Sequence, residues 1–273
     1  MPWPRSLKIN VVDEPLQPDL IRSLLGASLF STRLVYHPRI DSTNTHAKEL
    51  AGQGAEEGTL VLAEEQTAGK GRRGRSWQSP AQSNLLCSIL LRPALQADRV
   101  FVLTMILALA AVEAVRGLSG LCAGIKWPND LYVGMKKLAG ILTEFTLRDN
   151  EIEWVVLGLG LNVNRHPEDL QRQATSIQGE TGARVSRDLL LVEILKGLEG
   201  LYEEVHLGRV EPLYKRWNEA CFILGKSVEI ESDREKVVGR AVRIEQDGAL
   251  ILETPAGTTQ RIVAGDVSLR WSS

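Results

Sequence analysis

The sequence predicts an α/β domain followed by a small C-terminal β-barrel, and three observations lead there. From Arg33 onward, short apolar strand patterns alternate with helical ones. Two long alternating segments, 138–147 and 152–163, meet at Asp149-Asn150 as a hairpin. After Trp217 the chain turns to short strands punctuated by Gly225-Lys226, Asp247-Gly248, Ala256-Gly257 and Gly265-Asp266. That pattern describes a barrel of about 50 residues beginning near Ile223.

Taken in order, residues 1–30 form a short N-terminal extension with one helical pattern over 19–25, closed by Gly26. A strand over 34–36, a helix over 45–51 and strands over 59–64 and 85–91 follow. The uncharged run 100–112, with Asp98 as candidate N-cap, reads as a helix buried on most sides. It is shorter than the roughly 20 residues of a membrane span. In the second hairpin strand Val155, Leu157, Leu159 and Leu161 share one face, and Gly158, Gly160 and Asn162 the other. A face stripped of side chains invites close approach by a ligand or by a neighbouring helix. The spacing of Leu189, Leu190, Ile194, Leu198 and Leu201 predicts a helix over 186–205. The domains are therefore placed at 1–222 and 223–273.

At 273 residues, 44% of them hydrophobic, the chain can bury one large core with a small appendage. The net charge of −2 confines any basic site to a local patch, which disfavours a general nucleic-acid binder. Cys87, Cys122 and Cys221 show no CxxC spacing, so neither a metal site nor a disulfide framework is expected. Reduced thiols suit a cytoplasmic protein. The start Met1-Pro2-Trp3-Pro4-Arg5 has no apolar signal stretch, and no membrane partner is expected.

Chemistry concentrates in three segments. Gln66 precedes Gly69-Lys70-Gly71-Arg72-Arg73-Gly74-Arg75-Ser76-Trp77. Gly69, Gly71 and Gly74 match GxGxxG, but no helix opens at the third glycine to receive a pyrophosphate, so the dinucleotide reading fails. Four cations in six positions suit a loop closing over a polyanion, or else a solvated basic run. Asp41-Ser42-Thr43-Asn44 serves either as a helix N-cap or as a ring of polar groups around a small head group. Lys126-Trp127-Pro128-Asn129-Asp130 places a cation and polar acceptors on a rigid turn, and Lys136-Lys137-Leu138-Ala139-Gly140-Ile141 sets lysines before a buried strand.

These blocks, with Gly158-Leu159-Gly160-Leu161-Asn162, resemble the biotin protein ligase family in order and separation over roughly residues 33–170. The resemblance implies a mixed, mostly antiparallel sheet with flanking helices, shared with lipoate ligases, and a small SH3-like C-terminal domain. It implies an enzyme that uses biotin and Mg-ATP to make biotinyl-5′-adenylate and pyrophosphate. The biotin then passes to a lysine of a biotin carboxyl carrier protein. Ser42, Thr43, Asn44 and Gln66 would contact the ring end of biotin, with Gly69, Lys70, Gly71 and Arg72 ordering over its chain. Lys137 would hold the carboxylate and the α-phosphate, and Gly140 would let the ligand lie against the strand. Arg72, Arg75, Trp77, Lys126, Asn129, Asp130, Lys137 and Asn162 would serve the nucleotide. Lys137, Arg72 and Asp130 are the catalytic candidates; Asp130 would position Mg²⁺ or orient the incoming amine, and the residues leave both open. Where the family usually has arginine this chain has Lys70, which keeps the charge and loses the guanidinium fork.

The chemistry agrees with those roles. Joining a carboxylate to a phosphate brings two anions together, so cations must offset their repulsion and then that of the departing pyrophosphate. Only about 30 residues precede the first strand, so the expectation is a ligase without the family's N-terminal winged helix and without a DNA partner. The resemblance allows a homodimer through an edge strand of the main sheet, and the residues leave the oligomeric state open. Two alternatives stand beside this reading: a lipoate ligase or octanoyltransferase on the same fold, and a nucleic-acid-binding protein using the loop and barrel.

Overall fold

Two sheets organise the chain in the computed structural model, which describes residues 15–149, 151–166, 168, 170, 173–231, 236–263 and 265–269. Residues 1–14 of the N-terminal extension and the turn residue Asn150 lie outside that set. The larger sheet contains β1 (Leu34–His37), β2 (Leu60–Ala63), β3 (Asn84–Leu91), β4 (Gly124–Lys126), β5 (Asp130–Val133), β6 (Lys136–Arg148) and β7 (Glu151–Asn162). Its order is β1-β2-β3-β7-β6-β5-β4; β1 and β2 run parallel, and every other neighbouring pair is antiparallel. This is the mixed, mostly antiparallel sheet that the resemblance implies.

The long β6–β7 hairpin sets the register that matters, with Gly140 opposite Gly160 and Leu142 opposite Gly158. Val155, Leu157, Leu159 and Leu161 enter the main core as expected, beneath α3 (Phe101–Ser119) and α5 (Arg187–His206). On the opposite face Val156 packs with Val61, Leu90 and the Ala47 and Ala51 side chains of α2 (Thr43–Gly52). One sheet face is thus closed by helices, while α2 covers part of the other.

The apolar helix differs from its prediction at both ends. Val100 occupies the N-cap position behind a 3-10 turn at Ala97–Arg99, so Asp98 does not cap it. The helix continues past Glu113 and Arg116 because these charges fall on its exposed stripe, and Gly120 closes it at φ 74°. The helical stretch Ala97–Ser119 is long and apolar enough to cross a bilayer, yet 72% of its most apolar window is buried inside the fold. It is a core helix.

The 186–205 prediction holds almost to the residue, with the Ser186 hydroxyl accepting from Leu189 N. A buried ion pair anchors that end: Arg187 Nη1 donates to Glu64 Oε2 at 2.8 Å and to Asn84 O at 3.0 Å. Glu64 Oε1 also accepts from Leu16 N, tying the segment before α1 (Pro18–Leu25) to β2, β3 and α5. Not anticipated were α4 (Ile177–Thr181), α6 (Glu211–Ala220) and the β4–β5 hairpin. The last two are short and interrupted by prolines, so no period accumulates.

The C-terminal sheet holds β8 (Ser227–Glu231), β9 (Lys236–Ile244), β10 (Leu250–Glu253), β11 (Thr259–Ile262) and β12 (Asp266–Leu269), in the order β11-β10-β9-β8-β12. Its strands are antiparallel neighbours, and β11 and β12 do not pair among the described residues. Trp127 Nε1 donates to Gly248 O at 2.7 Å, joining the β4–β5 turn to the β9–β10 turn.

Candidate active site

Over the second face of the main sheet lies a cleft enclosing about 820 Å³, part of it open to solvent. Its walls come from the start of α2, the basic loop, the β4–β5 turn, and β6 and β7. Ser42, Thr43, Asn44, Gln66, Lys70, Gly71, Arg72, Arg75, Trp77, Asn129, Asp130, Lys137 and Gly140 all reach it. Of the predicted site residues, Gly69 and Asn162 line the adjoining groove behind Trp77, and Lys126 lies outside both.

At one end a buried amide–hydroxyl network forms. Ser42 does cap α2, its hydroxyl accepting from Thr45 N, and it lines the cleft as well. Thr43 donates through N at 2.8 Å and Oγ1 at 3.0 Å to Gln66 Oε1. With that oxygen engaged, the Gln66 amide nitrogen is what remains to offer a ligand. The fully buried Ser88 hydroxyl lies 2.6 Å from Asn44 Oδ1 and 2.8 Å from Thr43 Oγ1. Asn44 Nδ2 donates to Glu144 Oε2 at 2.9 Å and Leu142 O at 3.3 Å, which fixes the amide's orientation. Burial raises the Glu144 carboxyl, but hydrogen bonds from Lys48 and Asn44, with the charges of Lys48 and Lys70, outweigh it and hold it below the usual range.

The glycine face is bare for a structural reason. A Cβ on Gly158 would lie 2.0 Å from Asn44 Oδ1, and one on Gly160 would lie 2.5 Å from Trp77 Cε2. The space is taken by the protein's own Asn44 and Trp77, which together floor the cleft. Asn162 is committed in the same way: its Oδ1 accepts from Asn84 Nδ2 and its Nδ2 donates to Thr175 O.

The basic loop folds back on itself. Trp77 N donates to Gly69 O and Gly71 N to Arg75 O, around a 3-10 turn at Arg72–Gly74. No helix opens at Gly74, consistent with rejecting the dinucleotide fingerprint. Arg72 reaches inward and donates through Nη1 to Asn129 Oδ1 at 3.0 Å. Burial pulls the Arg72 guanidinium below its usual range, opposed by Asp130 and Asp266. Arg73 and Arg75, which also line the cleft, pair with Asp266 of the C-terminal sheet.

Between the amide network and the arginines stands Lys137, its Nζ 2.7 Å from Asp130 Oδ1 and 5.8 Å from the centre of the Trp77 ring. A Cβ on Gly140 would meet Lys137 Cε and Nζ at 3.2 Å and Asp130 Oδ1 at 3.3 Å. Gly140 therefore makes room for that pair. Lys126 Nζ lies 3.3 Å from Tyr132 Oη; burial lowers the lysine and pushes the phenol up to about 12.

Three cleft or near-cleft residues escaped the sequence reading. Ser88 could have been noticed as a hydroxyl in an otherwise apolar strand, and Glu144 as an acid midway along β6. Asp266, about 190 positions beyond the loop by count along the chain, carries no local signal.

An amide-lined end, a central lysine and a cationic lid on one sheet define an enzyme site for a small acid alongside a polyanion. Residues 36–162 match the biotin/lipoate A/B protein ligase family, and residues 223–270 match the biotin protein ligase C terminal domain. The bifunctional ligase/repressor BirA of Bacillus subtilis is 33% identical over 91% of this chain and 78% of its own length. A biotin–acetyl-CoA-carboxylase ligase of Paracoccus denitrificans is 34% identical over 84% of this chain and 97% of its own. The solved biotin protein ligase of Aquifex aeolicus in complex with biotin and ATP superposes with a TM-score of 0.74 at 28% identity, covering 88% of this chain and all of that one. The chain belongs to the biotin protein ligase family.

Proposed function

We propose that this protein is an ATP-dependent biotin ligase that forms biotinyl-5′-adenylate and passes the biotin to a lysine of a biotin carboxyl carrier protein. The observation that carries this reading is Lys137, set between an end rich in amides and hydroxyls and an end rich in guanidiniums. The biotin ring would lie against Thr43, Asn44 and Gln66. Its carboxylate would attack the α-phosphorus near Lys137, breaking the bond to the β-phosphate and releasing pyrophosphate. Positive charge from Lys137 and Arg72 offsets the repulsion of the two anions. The acceptor amine then attacks the acyl carbon, AMP leaves, and the amine's proton passes to solvent or to a nearby carboxylate.

Mg²⁺ fits this site on the chemistry of one donor: the Asp130 carboxylate lines the cleft, with Oδ1 held 2.7 Å from Lys137 Nζ and Oδ2 outside that contact. Among the described residues no group of three or more His, Cys, Asp or Glu side chains could hold a metal, as suits an ion carried mainly by phosphates. Mg²⁺ would neutralise phosphate charge, with Asp130 holding it.

The cysteines favour the ligase over a thiol acyltransferase on the same fold. Burial pushes the Cys87 thiol up to about 12, so at neutral pH it is protonated and a poor nucleophile. The unpaired thiols support a reducing cytoplasmic setting. No DNA partner is proposed, because Arg72 donates to Asn129 in the cleft and Arg73 and Arg75 pair with Asp266. A salt-dependent gel shift would contradict that. Homodimerisation through an edge strand of the main sheet, β1 or β4, is the quaternary state we infer, to be read by light scattering. The activity itself is tested by ATP–pyrophosphate exchange with biotin or lipoate. Exchange driven by biotin alone is expected, and exchange driven by lipoate alone would overturn the reading.

A further inference from the structure

We propose that Asp266 is a positioning residue: a counter-ion from the C-terminal sheet that holds the basic loop over the cleft until nucleotide phosphates replace it. The inference rests on the ligase reading above for the identity of the replacing anion.

The geometry begins with a single carboxylate oxygen. Asp266 Oδ2 pairs with Arg75 Nη2 and lies 3.4 Å from Arg73 Nη1, which also donates to Glu231 O at 3.4 Å. Asp266 and Glu231 are register partners on β12 and β8, so both acceptors belong to one corner of the C-terminal sheet. Gly265 shapes that corner: a Cβ there would lie 2.4 Å from Ile230 Cγ2. A side chain at 265 would force β12 and β8 apart at this corner.

The loop needs an outside tether. Its turn is three residues long, and Arg73 sits at φ 54°, a region that non-glycine residues seldom adopt. Four cations in six positions also repel one another. One carboxylate shared by two of them relieves that repulsion without filling the cleft.

Asp266 itself lines the cleft. An anion in this position attracts the arginines in the ligand-free protein and repels a triphosphate. Both effects resolve if phosphate takes over the guanidiniums as it binds, since forked donors serve a carboxylate and a phosphate equally. Arg72 plays a different part. Its partner Asn129 is neutral, so Arg72 stays aimed into the cleft in either state.

Asp266→Asn keeps the size and an acceptor while removing the charge, and Asp247→Asn, paired with Arg261 on another turn of the same sheet, is the control. Hydrogen exchange of peptides spanning 69–77 reads the tether directly. In the ligand-free Asp266→Asn protein the loop amides should exchange about three- to tenfold faster than in wild type, as expected for loss of a partly exposed charge contact. With biotin and Mg-ATP bound the two proteins should exchange alike. KM for ATP should fall by about two- to fivefold, with kcat changed less than about twofold. Asp247→Asn should match wild type throughout. Equal ligand-free exchange in Asp266→Asn and wild type would overturn the tether alone. A difference that persists in the ligand-bound proteins would overturn the replacement. A wild-type loop that does not respond to biotin and Mg-ATP at all would overturn the ligase reading, and with it the replacing anion.

Discussion

Lys137 Nζ lies 2.7 Å from Asp130 Oδ1, and the missing side chain at Gly140 is what lets the two groups meet. Gly140→Ala would press a methyl to 3.2 Å from the amine, so the lysine must shift. Pyrophosphate exchange should fall about tenfold in that variant with the melting temperature unchanged, since misplacing one charge-stabilising donor is less severe than deleting it. Lys137→Met, which deletes it, should cost about 10²–10³-fold. A Gly140→Ala enzyme of wild-type speed would show that the pair is not held by that gap.

Arg72 links the lid to the nucleotide side through Asn129. Arg72→Gly removes that link and frees the turn, so biotinyl-adenylate should escape faster and label bystander amines. Rapid dilution of preformed adenylate measures the escape. A dissociation rate equal to wild type would dismiss Arg72 as a retaining group.

Much of this was legible in the sequence because it lies in compact runs. The two-residue period of 152–163 identified the core face and the glycine face, and the Gly-Lys-Gly-Arg-Arg-Gly-Arg run identified the lid. What filled the glycine face was not legible, because Asn44 and Trp77 reach Gly158 and Gly160 from more than 80 residues away in the chain. Local period cannot report such packing. Asn162 illustrates the converse: its place in a run pointed to the ligand, while its amide is spent on Asn84 and Thr175. The end of α3 escaped because Glu113 and Arg116 broke an uncharged run without breaking the helix.

The Arg187–Glu64 pair ties α5 to the residue that follows β2, with both side chains 4% exposed. Arg187→Met should destabilise the protein by about 3–5 kcal/mol by leaving the Glu64 carboxylate buried without its cation. Restoring part of that stability with Glu64→Gln in the same chain would show that the lost charge balance, and not lost volume, is responsible. Urea denaturation of the single and double variants makes the comparison.

Glu144 gives a pH dependence with a definite sign. Its folded pKa is held below the ordinary 4.5, so its contribution to stability is complete above that value and fades as pH falls through the folded pKa. Glu144→Gln should therefore be less stable than wild type at pH 7. The two proteins should converge as pH falls below the folded pKa of Glu144. Parallel loss of stability down to the lowest pH would mean that the Lys48 and Asn44 contacts do not favour the ionised form.

The buried thiols should be silent. Cys87 and Cys221, raised by burial to about 12 and about 11, should resist iodoacetamide at pH 8 in the folded protein, leaving exposed Cys122 as the alkylated site. Peptide mapping shows which cysteine reacts. Loss of ligation in step with Cys87 alkylation would revive a thiol mechanism.

The most direct measurement of the central claim is intact-mass analysis of a biotin carboxyl carrier domain after incubation with the protein, biotin and Mg-ATP. One biotin should appear on a single acceptor lysine, and the product should fall to about one hundredth or less with Lys137→Met. An unmodified carrier beside an active control ligase, or undiminished labelling by Lys137→Met, would contradict the assignment of this cleft as the site of biotin activation.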